Sequence, residues 1–408
     1  MKIKLKIKRL PLSSKYIYIA AYVAICFALI PVLKALPMSI KAVIVLCILF
    51  FSALNAFRNI CYITILGFAV ILNLLIWFGE YQFVSSFSFL DKFAMMCLFW
   101  LIVAIGVFLC VKKEWDSIIR LKRLMLNVFI ITSITTIIGS FIFEDASRAL
   151  ASGNQIGNTV YQLWNIGGYG FIYALSLAVP WIMYRYNKNK EKKYVIILLL
   201  FCLCIIRASY ATAILLMLFG FVMSCLMNRI RTQRGLLFAF IIFAILLLIG
   251  SFVISDIHFW EFLLRLTSEN RTLQFRVENM RDLILYQNMT GDISMRSDLY
   301  SRSWRAFLEN PILGNVFSLR DFPLGYHSEF IDLLGGCGVV GLLLLLALIY
   351  FIVKSISKDY KTITIKRYCV LAMIELIVFG FINTILGSIE FAIIIGFLYL
   401  PEYREKRS

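Results

Sequence analysis

From Phe93 to Val111 the chain runs for 19 residues without a charged side chain. That length and apolarity match the ~20 residues an α-helix needs to cross the hydrocarbon core of a bilayer. The run is one of about twelve, near Tyr16–Leu33, Ala42–Phe57, Ile60–Gly79, Phe93–Val111, Leu124–Phe143, Tyr169–Arg185, Tyr194–Ile206, Ala211–Met227, Leu236–Ile254, Phe330–Val353, Tyr368–Leu386 and Phe391–Leu400. Ala42–Phe57, Tyr194–Ile206 and Phe391–Leu400 are short enough to be tilted, extended into the interface or re-entrant. Composition closes off the other classes. Of 408 residues, 61% are hydrophobic and 16% charged, and mean hydropathy is +0.87. A soluble domain carries about 25% charge, so there is too little polar surface here to cover soluble cores. Disorder needs low hydrophobicity, and a membrane β-barrel would alternate polar and apolar positions in segments of about ten residues. The expected fold is an all-α polytopic membrane protein of about 12 transmembrane helices with one large helical extracytoplasmic loop.

The net charge of +18 points to membrane topology rather than to nucleic acid. With the N-terminus in the cytoplasm, 28 of the 41 Lys and Arg fall in cytoplasmic segments and 13 outside. The positive-inside rule then puts both ends in the cytoplasm and makes the number of spans even. The basic start, Met1 to Lys15, is followed by an apolar run with no small-residue cleavage site, so it reads as an uncleaved first span. The chain divides into a transmembrane bundle at 1–254 (about nine spans), an extracytoplasmic loop at 255–329, and C-terminal spans with a cytoplasmic tail at 330–408. The ten Cys lie in or beside apolar runs and none lies between Ser255 and Tyr326. That gives neither a disulfide framework nor the spacing of a Cys/His metal site.

The loop is where chemistry concentrates. It holds eight Arg and no Lys; interfacial anchoring beside the loop's own acids is the reading for most of them, and two-point binding of phosphate or carboxylate, which selects Arg over Lys, the reading for Arg296. Arg296, Tyr300 and Trp304 recur every four residues, one face of a helix. That helix is expected to end before Pro311, with Pro311 to Gly314 as a turn. Next come Gly325, Tyr326, His327, Ser328 and Glu329, then Asp332, and a span opening with Gly335, Gly336, Gly338 and Gly341. These glycines serve either helix packing or close approach of a backbone or lipid. His327, one of two His, can accept a proton from a hydroxyl near neutral pH. Arg207 lies between two short apolar runs, where it either snorkels to the outer face or binds an anion. Glu375 is the one clear acid inside a span, thin support for a transporter or flippase.

Arg296-x3-Tyr300-x10-Pro311-x2-Gly314, His327-Ser328 and Gly338-x2-Gly341 together resemble the signature of the O-antigen ligase and O-antigen/capsule repeat-unit polymerase superfamily. Arg207-Ala208, with Ser and Thr nearby, resembles that superfamily's second motif. The likeness covers about 50 residues around His327 and a few around Arg207. It implies a multi-pass protein of the bacterial cytoplasmic (inner) membrane, active on the extracytoplasmic face. It implies an inverting, metal-independent glycosyltransferase without cofactor, using undecaprenyl-diphosphate-linked oligosaccharide, with flippase and chain-length regulator proteins as partners. His327 would be the base and Arg207 and Arg296 the diphosphate clamp, with Tyr300, Glu329, Asp332, Gly338 and Gly341 in support. Repeat-unit polymerisation is the first expectation; ligase transfer of finished glycan to another acceptor is the alternative.

Overall fold

The computed structural model describes residues 12–56, 59–80, 86–143, 146–150, 155–229, 255–268, 271–286, 292–317, 323–357 and 363–401. The expected span Leu236–Ile254 lies outside the described residues. Among those described, every regular element is helical. The order is α1 (Leu12–Leu29), α2 (Pro31–Lys34), α3 (Met38–Ala56), α4 (Ile60–Glu80), α5 (Ser86–Val111) and α6 (Trp115–Ile142). Two short helices follow, α7 (Ala146–Ala149) and α8 (Gln155–Leu163), then α9 (Tyr169–Asn189), α10 (Lys193–Arg207) and α11 (Ala211–Arg229). Beyond these lie α12 (Ile257–Leu266), α13 (Arg271–Tyr286), α14 (Asp292–Glu309) and a 3-10 turn at Gly314–Phe317. The chain closes with α15 (Glu329–Ser357), α16 (Ile363–Ile382) and α17 (Ile389–Ile393), which runs on as a π-turn, Ile394–Leu398. Four described stretches are long and apolar enough to cross a bilayer: Ile60–Gly79, Phe93–Val111, Trp115–Ile142 and Glu329–Ser357.

Burial sorts the helices. In α9 every residue from Phe171 to Tyr184 is buried, and 78% of Phe93–Val111 in α5 is buried against 33% of Ile60–Gly79 in α4. A helix that is apolar all round and buried all round is a central one. So α5 and α9 form the middle of the bundle, and α4 shows much of its surface. Several helix ends differ from the apolar runs. The first helix stops at Leu29, because Ile30 turns extended before Pro31 opens α2; an α conformation is disfavoured before proline. In contrast, α6 begins nine residues before Leu124 and includes Lys122, which is buried and donates to the Leu400 carbonyl at 2.6 Å. Its charge compensates the buried carbonyl end of the final helix.

The glycines that open α15 are explained by a backbone docking. Gly338 breaks that helix at φ 62°, ψ −162°, freeing the amides of the residues after it. Val339 N–H donates to the Pro311 carbonyl at 2.9 Å and Val340 N–H to Ile312 at 3.1 Å. The Pro311–Gly314 turn is thus inserted into the break in α15. Gly314, itself at φ 58°, lies where a Cβ would come within 2.6 Å of the Gly335 carbonyl. Close approach of a backbone is therefore the role of Gly338 and Gly314, while at Gly341 the neighbour is Cys337 of the same helix.

Candidate functional site at the head of the long helix

The insertion of Pro311–Gly314 fixes α14 against the start of α15. Arg296, Tyr300 and Trp304 all lie on α14, and the stripe they form runs from half-buried to exposed. Ser303 and Ala306 are fully buried, while Trp304 is 47% exposed and meets the Phe307 ring at a tilt of 43°. Four-residue steps drift about 40° each around an α-helix, so by Trp304 the stripe has left the packed side. Arg296 and Tyr300 stay together, both half-buried, with the guanidinium acting electrostatically on the Tyr300 hydroxyl. That hydroxyl in turn donates to the Ile382 carbonyl at 3.0 Å. Burial pushes the Tyr300 hydroxyl above the ordinary phenol range, with Arg296 pulling the other way. Tyr300 therefore remains a donor.

His327 sits in a short loop held mainly by one carboxylate. Asp332, buried in the first turn of α15, accepts from Tyr326 N–H at 3.2 Å, from Ser328 N–H at 2.8 Å and from the Ser303 hydroxyl. Ser303 in turn accepts from Gly325 N–H at 2.8 Å. Ser328 caps the helix, accepting from Ile331 N–H at 3.3 Å and donating to the Gly380 carbonyl at 3.2 Å. Tyr326 is forced to φ 57°, a conformation that costs a side-chain-bearing residue about 1–3 kcal/mol and persists only where the surroundings hold it. Glu329 does similar work across the loop between α16 and α17: its Oε2 accepts from Ile385 N–H at 2.7 Å and Leu386 N–H at 3.0 Å. Both carboxylates are thus committed to backbone donors.

The imidazole itself is half-buried. Its Nδ1 lies 3.2 Å from the Tyr326 carbonyl. A carbonyl only accepts, so this contact assigns the proton to Nδ1 and leaves the lone pair on Nε2. Beside the loop is a cavity of about 160 Å³, lined by Tyr326, Glu329, Asp332, Thr384 and Gly387 among others.

Three tyrosines that sequence reading passed over complete this end of the bundle. Tyr169, the first residue of α9, packs on Tyr173 (centroids 4.6 Å apart), Tyr210 (5.8 Å) and Phe379 (6.4 Å). Tyr210 donates to the Ser147 carbonyl at 2.7 Å. The one sequence signal for them was position: Tyr169 follows Gly167-Gly168 at the start of an apolar run, and Tyr210 follows Arg207 by three residues. Arg207 is placed differently from Arg296. It donates to the Ser140 carbonyl at 2.9 Å and to its hydroxyl at 3.3 Å, and covers the Phe141 ring at 4.5 Å. Among the described residues no contact joins the two arginines. Glu375 is not the only buried acid. Glu390 is 5% exposed, paired with Lys34 and hydrogen-bonded by Ser388 at 2.7 Å.

No protein-family model and no curated protein matches the chain.

Proposed function

We propose that the chain is a surface-polysaccharide repeat-unit polymerase of about twelve spans in a bacterial cytoplasmic membrane, with both termini in the cytoplasm and the 255–329 segment outside. It would be an inverting glycosyltransferase that moves a glycan from undecaprenyl diphosphate to the non-reducing end of a lipid-linked repeat unit. The observation that carries this reading is the His327 loop. One imidazole nitrogen is tied to a backbone carbonyl, the other is free to take a proton, and the two nearby carboxylates are spent on holding loops. Tyr300, one helical turn along α14 from Arg296, is fixed to the same loop through α16.

The chemistry follows from those placements. The acceptor hydroxyl must lose its proton as its oxygen attacks the anomeric carbon, and His327 Nε2 takes it. The carbon–oxygen bond to the lipid diphosphate breaks on the opposite face, and the negative charge that builds there would be met by the guanidinium groups of Arg296 and Arg207. The 28-to-13 division of Lys and Arg supports the topology. A reporter active only outside the cytoplasm is expected to be silent when fused after Ser408; an active fusion would reverse the orientation.

Arg296 and Arg207 form the diphosphate clamp in this reading. Lys at either position keeps the charge and loses the planar fork. Arg296→Lys and Arg207→Lys are each expected to reduce kcat/KM by about tenfold or more, measured on a lipid-linked oligosaccharide donor. Near-wild-type turnover in both would remove the clamp. The deciding experiment for the whole reading is lengthening of lipid-linked oligosaccharide by the purified protein, with no ion gradient and with chelator present. Failure under those conditions, with activity restored by an ion gradient, would favour a transporter. A deletion strain separates polymerase from ligase: single-repeat surface glycan supports the first, full ladders left on the lipid carrier the second.

A further inference from the structure

Glu375 plays no part in the chemistry above, yet it is the most anomalous group in the bundle. It lies on α16, seven residues or about 10 Å from the Ile382 end that holds Tyr300, and it is 0% exposed. Neither carboxylate oxygen has a hydrogen-bond partner among the described residues. Its Oε1 presses on Gly220 of α11 so closely that a Cβ there would overlap it, and Pro180 of α9 borders the same spot. The titratable groups of this region are Tyr399 and Cys369. Tyr399 donates its own proton to the Leu177 carbonyl at 2.6 Å. The indole nitrogen of Trp181 on α9 and the hydroxyl of Ser224 on α11 are also buried without partners. No Lys or Arg among the described residues pairs with Glu375.

An ionised carboxylate in such surroundings would cost far more than the fold can absorb, so the group takes up a proton instead. We infer that Glu375 is a proton-binding site inside the bundle, holding one exchangeable proton as the neutral acid, around which α9, α11 and α16 are packed. The site lies between the helix that carries Tyr169 and the helix whose end anchors Tyr300 and Ser328. Glu390 is the built-in contrast: also buried, but ion-paired with Lys34.

Dicyclohexylcarbodiimide, an apolar reagent, distinguishes the two. A neutral carboxylic acid adds across one of its C=N bonds, the oxygen bonding to the central carbon and the proton passing to nitrogen; nothing is oxidised. Treatment of the full chain in native membranes, followed by digestion and mass spectrometry, is expected to find the adduct on Glu375 and not on Glu390. Sodium and lithium salts are expected to leave it unchanged. E375Q, a neutral isostere, is expected to extract from membranes as a monodisperse protein and to lose the adduct. Three results would overturn the inference. One is absence of the adduct on Glu375 in monodisperse wild-type protein. Another is protection by sodium or lithium, which would make the ligand a metal cation. The third is an E375Q that aggregates while E375D stays monodisperse, which would mean that the ionised form holds the helices.

Discussion

His327→Ala is expected to lower turnover about 10²–10⁴-fold, the range a positioned general base contributes, or roughly 3–5 kcal/mol of transition-state stabilisation. The loss should fall on kcat, because donor binding rests on the arginines. Lipid-donor binding, measured separately, is expected to change little. Expression should also hold, since the loop conformation is fixed by Asp332, Ser303 and Ser328 and not by the imidazole. Glu329 and Asp332 are the carboxylates nearest His327 in sequence. Their oxygens accept from Ile385, Leu386, Tyr326 and Ser328 amides, which makes them supports for the loop. A variant that keeps most of its turnover would remove His327 from the chemistry.

The second large effect is on the fold. Gly338→Ala is expected to destabilise the protein by about 3 kcal/mol or more. The backbone there occupies a region reserved almost wholly for glycine, at about 1–3 kcal/mol for any other residue. A Cβ would also overlap the Ile312 carbonyl group and the Leu313 nitrogen. Both are backbone atoms, so no flexible side chain can yield. The turn at Pro311–Gly314 would be expelled, and with it the register of α14 against the His327 loop. Gly67→Ala is the matched control. Nothing lies within 4 Å of a Cβ at Gly67, inside α4, and alanine there is expected to be neutral or to add up to about 1 kcal/mol. Thermal aggregation midpoints in detergent would separate the two. Equal midpoints for Gly338→Ala and wild type would show that the break in α15 is not required.

Much was legible in the sequence because it rests on local chemistry. Uncharged runs of about 20 residues demand backbone groups satisfied within the segment, and only a helix does that in lipid. The helix over Asp292–Glu309 and its stop before Pro311 follow from residue types a few positions apart. His327 stood out by scarcity and place. What the sequence could not decide was every feature joining distant positions. The turn at Pro311–Gly314 meets Gly338 only because two backbones dock, and a glycine in sequence does not say which chain will approach it. Arg207 looked equivalent to Arg296, but its guanidinium satisfies the last carbonyls of α6 at Ser140, a choice made by how α10 packs on α6. Glu375 and Glu390 are both buried acids, and only the fold gives one of them a lysine. Apolar length is set residue by residue; a partner depends on what the packing of helices brings within about 3 Å.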